Sequence, residues 1–174
     1  MKSCPEHLQI VNTFHELGET IAAAQFLIQE YGLENLNFKG FELREKAQPE
    51  FILMTTEGAL GEPQIIRIPE NTFEYPLHLM LNLLMYEMIH VSQKTTENLI
   101  EDKNEREWRA YYEMLFHKTF PQIPEFPDFH KRFFAKKALE YYNRMGESSE
   151  LQLKYANQKL ETDNLLSFLE AQTK

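Results

Sequence analysis

Tyr86-Glu87-Met88-Ile89-His90 is the one stretch in which the sequence concentrates groups able to do chemistry. A carboxylate and an imidazole three residues apart are neighbours on a helix, and Tyr86 and His90, four apart, share a face. The pentapeptide differs at one residue from His-Glu-x-x-His. In that motif two histidines one turn apart hold zinc, and the glutamate between them acts as general base on a metal-bound water. The third ligand is often a glutamate from a following helix. Here the first position is a phenol, whose ordinary pKa of about 10 makes it a poor zinc ligand at neutral pH.

The pentapeptide sits inside Leu77–Gln93, the longest apolar run of the chain. Drawn as a helix, the run is apolar on two sides. Leu77, Met80, Leu84, Met88 and Val91 form one face, and Leu79, Leu83, Tyr86, His90 and Gln93 the other. A helix apolar all round is normally buried, and a buried acid such as Glu87 needs a partner. Pro76 is placed to open this helix.

The other elements follow from periodicity. Val11, Phe14, Leu17, Ile21, Ala24 and Ile28 recur at helical spacing and predict one helix over Pro5–Tyr31, closed by Gly32. Asn37–Leu43, Phe51–Thr55 and Gln64–Ile68 read as short strands. With connections too short for helical crossovers, they predict a small antiparallel sheet of three strands. A helix over Lys103–Thr119 is predicted with Asp102 and Glu105 as its capping box and Trp108, Tyr111, Tyr112, Leu115 and Phe116 as its apolar members. Pro121–Pro127 must turn or extend. Asp128 caps a helix over Phe129–Met145, and a last, mostly polar helix runs from Ser148 or Ser149 to about Gln172, on the surface or against a partner. With no internal repeat and no linker, residues 1–174 read as a single domain, with a core over about 5–119 and a helical extension over about 128–172.

In this setting Leu84-Met85-Tyr86-Glu87-Met88-Ile89-His90-Val91-Ser92-Gln93 resembles the H-E-[LM]-x-H-V-x-Q signature of small bacterial zincin-like metallopeptidases. Glu105-Arg106-Glu107-Trp108-Arg109-Ala110-Tyr111 is similar to the E-x-x-A helix that supplies their third ligand. The resemblance covers roughly Asn37 to Phe116. It implies an α+β zincin-like fold: an N-terminal helix, a small sheet, a buried motif helix and a glutamate helix, to which this chain adds two C-terminal helices. It also implies Glu87 as general base and His90 and Glu107 as zinc ligands, with Glu105 as fallback for Glu107 and Tyr86 in a ligand's place. The substrate class would be a peptide or protein. Because Tyr86 replaces a histidine, zinc affinity should fall steeply and activity should be weak or lost.

Three other readings compete. Glu87 and His90 also suit a hydrogen-bonded core histidine beside a rim carboxylate. A catalytically dead relative would serve as a binding or interaction domain. A ferritin-like di-iron bundle would need two E-x-x-H motifs and two further glutamates on four helices, and only one such motif is present. His78, two turns before Tyr86, is ~11 Å away along a straight helix and reaches the site only if the helix bends.

Composition narrows the class. The 174 residues are 43% hydrophobic, with 13 Phe and 8 Tyr, enough to build a core. A net charge of −9 without a basic stripe disfavours nucleic acid as a partner. The single cysteine, Cys4, allows neither an intrachain disulfide nor a cysteine zinc site. The first residues show no long apolar segment of a secretory signal, and the run at Leu77–Gln93 falls short of the ~20 clean apolar residues of a membrane span. A cytoplasmic protein with no membrane partner is expected. Phosphate-loop and G-x-S-x-G motifs do not occur.

Overall fold

The computed structural model describes residues 4–172. They form seven α-helices, a short 3-10 turn and a three-stranded sheet, an α+β chain. The chain divides into two compact units, one up to Leu99 and one from Ile100 onward.

The first unit opens with α1 (Cys4–Glu16) and α2 (Thr20–Glu30), where one helix is predicted. The break lies at Gly18, whose φ of 73° is left-handed. Glu19 N–H donates to Phe14 O at 2.9 Å and Gly18 N–H to His15 O at 2.9 Å. These are the two bonds of a Schellman motif, which needs a residue without a Cβ penalty at this position. Gly32 (φ 62°) ends α2 by the same device, with Leu33 N–H on Ile28 O and Gly32 N–H on Gln29 O. Buried His7 ties the two helices. Its Nδ1 lies 2.9 Å from the Tyr31 hydroxyl and its Nε2 3.3 Å from Glu30 Oε1.

The sheet is β1 (Phe38–Arg44), β2 (Thr55–Glu57) and β3 (Gln64–Pro69), in the order β1-β3-β2. It is mixed, not antiparallel: β2 pairs antiparallel to β3, but β1 pairs parallel to it, Phe41 beside Ile66 and Leu43 beside Ile68. The expectation of antiparallel pairing rests on a parallel pair needing a helical return path. Here β2 itself carries the chain back, so β1 and β3 run the same way without a crossover helix. The predicted strand at Phe51–Thr55 is displaced to Thr55–Glu57. Residues 45–54 make the passage between edges, with one bridge between Gln48 and Phe51. That passage is held by Asn71, whose side chain accepts from Ala47 N–H (2.7 Å) and donates to Ala47 O (3.1 Å). The Tyr75 hydroxyl adds a bond to Gln48 O at 2.8 Å.

Then comes α3 (Leu77–Gln93), with the predicted ends and Pro76 at its N-cap. It packs on β2, α2 and the 3-10 turn Thr72–Glu74. Met80, Leu81, Leu84, Met85 and Val91 are fully buried. At about 1.5–3 kcal/mol for each such side chain, this helix is a main source of hydrophobic stabilisation in the unit.

The second unit contains α4 (Lys103–Phe116), α5 (Asp128–Arg144), α6 (Glu150–Lys154) and α7 (Ala156–Ala171). Asp102 caps α4, accepting from Glu105 N–H at 2.8 Å. The helix stops at Phe116, short of the predicted Thr119, because His117 turns left-handed (φ 45°) and the Glu113 carboxylate takes Thr119 N–H (2.7 Å) and Phe120 N–H (3.0 Å). Asp128, expected as the cap, is instead the first residue of α5, and Pro127 stands at the N-cap position without a side-chain capping bond. The predicted last helix is two helices meeting at Tyr155, the first capped by Ser149 on Gln152 N–H. α5 packs against both α4 and α7. Tyr111 stacks on Phe134 and Tyr141, and Trp108 lies against Tyr142 and Tyr155. Among the described residues no helix is long and apolar enough to cross a membrane.

Candidate functional site

In the first unit, α3 brings Tyr86 and His90 together. Their rings meet edge to face, with centroids 4.5 Å apart. His90 is 8% exposed and held from its other side by Gln93, with Nδ1 2.8 Å from the carboxamide Oε1. When Nδ1–H donates to this oxygen, the lone pair stands on Nε2, the tautomer of a histidine that ligates through Nε2. The imidazole is therefore oriented by two neighbours on its own helix, at i−4 and i+3.

Glu87 is 5% exposed and points toward the sheet. The Thr56 hydroxyl of β2 lies 2.6 Å from Glu87 Oε2 and 3.0 Å from Glu87 main-chain O. The strand is clamped again by Lys94, whose ammonium donates to Thr56 O at 3.0 Å. The C-terminal carbonyls of α3 are also met within the unit: Gly61 N–H donates to Lys94 O at 2.8 Å. Asn37 Nδ2 reaches Val91 O at 3.5 Å and Glu62 O at 3.1 Å. The motif helix is thus fastened to the β2–β3 hairpin at its middle and its end.

Glu105 and Glu107 lie on α4 in the second unit. Glu105, the fallback ligand, is 8% exposed and committed elsewhere. Its Oε1 accepts from the Tyr155 hydroxyl at 2.5 Å and the Lys154 ammonium at 2.7 Å. Burial pushes its carboxyl upward, but these two bonds, with the charges of Lys154 and Arg109, carry it below the ordinary value. Glu107 is half-buried. Its charge acts on Tyr141, whose phenol is pushed above its ordinary value by burial first and by Glu107 second.

Among the described residues of either unit, no group of three or more His, Cys, Asp or Glu side chains is arranged to hold a metal ion. The donor chemistry agrees. At the two motif positions α3 offers one imidazole and one phenol where a zinc helix offers two imidazoles, and one carboxylate oxygen each of Glu87 and Glu105 already accepts from hydroxyl or ammonium donors. The motif pair as it stands, His90 with Tyr86, supplies a single nitrogen donor.

Sequence reasoning missed Thr56, Lys94, Lys154 and Tyr155. For Thr56 a signal existed, a polar Thr-Thr pair closing the apolar run Phe51–Met54. Lys154 and Tyr155 meet Glu105 from 49 and 50 residues away, and no local pattern announces that.

The chain matches no family model, no curated protein and no solved structure.

Proposed function

We propose that the chain is a zincin-like relative of metal-dependent peptidases that has lost its working metal site and with it most or all of its hydrolytic activity. The observation that carries this reading is the face of α3. His90 is held through Nδ1 by Gln93, as in a metal-binding helix, and one turn before it the ring packed against it is a phenol. A neutral imidazole donates a lone pair at pH 7, whereas a phenol must first surrender a proton. A second reading, a domain that binds a peptide or protein without cleaving it, is favoured by the use of Glu87 and Glu105 to hold elements together.

Metal analysis and a peptidase assay at neutral pH test the proposal together. The purified protein should carry far less than one zinc per chain and should leave casein or a peptide library essentially uncut. Robust cleavage that a chelator abolishes would refute it and would make Tyr86 a true ligand.

A further inference from the structure

Thr56 stands in an unusual relation to Glu87. One hydroxyl proton faces two acceptors of the same residue, the carboxylate at 2.6 Å and the main-chain oxygen at 3.0 Å. Thr56 itself has little freedom to withdraw. It is paired with Ile66 in the ladder between β2 and β3, and its own carbonyl receives the Lys94 ammonium. A carboxylate as buried as Glu87 is costly without a donor, so the hydroxyl and the carboxylate hold one another in place.

We propose that Thr56 is a positioning residue for Glu87, committing the carboxylate to the contact between β2 and α3. The chain then departs from hydrolase chemistry at two separate places. Tyr86 removes a metal donor, and Thr56 ties down one carboxylate oxygen, Oε2, of the residue in the general-base position. Replacing Tyr86 alone does not release Glu87. What Glu87 is withheld from rests on the zincin-like reading; the tie itself does not.

The test uses the full chain and four variants: Thr56→Val, Thr56→Ser, Glu87→Gln and Thr56→Val with Glu87→Gln. Unfolding of the first unit is followed by amide hydrogen exchange in β3. Valine keeps the shape of threonine and loses the hydroxyl, so Thr56→Val should raise the population of the open state by more than about tenfold, the lower bound for one charge-assisted bond. Thr56→Ser should stay within about threefold of the wild type. In the Glu87→Gln background the valine should cost less than about threefold, because the partner charge is gone. In the wild type the Thr56 hydroxyl proton should be visible by NMR and protected from solvent exchange, and its signal should move in Glu87→Gln. Equal effects of valine in both backgrounds, or valine and serine behaving alike, would overturn the proposal. So would a freely exchanging hydroxyl in the wild type, a measurement that stands even where Thr56→Val does not fold. Zinc binding by a Tyr86→His variant reports on ancestry and not on Thr56, so the two ideas can fail separately.

Discussion

Tyr155→Phe removes one hydroxyl from the second unit and leaves the ring in place. That hydroxyl lies 2.5 Å from a carboxylate oxygen of Glu105, and both residues are less than a tenth exposed. A hydrogen bond to a charged group contributes about 1.5–3 kcal/mol. Lys154 remains as second donor at 2.7 Å, so Glu105 is not abandoned, and we place the cost at about 2 kcal/mol. Trp108, the single tryptophan, is fully buried in the same unit with its ring 6.5 Å from that of Tyr155. Its fluorescence therefore follows unfolding of this unit in urea. With a slope of about 1–2 kcal/mol per molar, the midpoint should fall by about 1–2 M. The effect carries a pH signature. The Glu105 carboxyl is depressed in the folded chain below the ordinary 4.5, so its stabilisation is full above that value and is lost as pH falls through the lower folded value. The difference between wild type and Tyr155→Phe should be full at neutral pH and shrink below about pH 4. A midpoint shift under about 0.3 M at neutral pH, or a difference that persists unchanged in acid, would refute the assignment of this bond.

Two further substitutions test the frame of the first unit. Gly58→Ala would place a Cβ 2.6 Å from Gln64 Nε2 and force alanine to a φ of 147°. Gln64 is fully buried with its amide on Ala59 O and Glu62 O, so it cannot easily yield. A loss of more than about 2 kcal/mol is expected, read as lost amide protection in β3. Tyr31→Phe deprives the fully buried His7 of the hydroxyl 2.9 Å from Nδ1. It should cost about 1–3 kcal/mol in a thermal melt, and a neutral result would mean that water or another group serves His7 equally well.

The sequence shows where a helix ends when the end is signalled by proline or a cap. Pro76 and Asp102 placed the starts of α3 and α4 correctly. Gly32 was legible as a stop, yet Gly18 uses the same two bonds and lay hidden inside an unbroken apolar period. The pattern is blind to chain direction, which is why the parallel pairing of β1 with β3 escaped it. The capping box is met on one side only: Asp102 caps α4, but the Glu105 side chain goes to Lys154 and Tyr155. At the candidate site, the adjacency of Tyr86 and His90 follows from helical spacing alone. The hydrogen bond on Glu87 does not, because its donor lies on a strand 31 residues earlier. Side chains whose partners are remote can be suspected from their burial, but their partners cannot be named from local pattern.

Zinc calorimetry on the wild type and on Tyr86→His tests the central claim most directly. The substitution completes two imidazoles one turn apart on a helix where His90 is already oriented by Gln93, so little has to reorganise. The wild type should show negligible binding. Tyr86→His should bind zinc measurably, with a melting temperature that rises as metal is added. Tight zinc binding by the wild type, or equal and negligible binding by both proteins, would contradict the account.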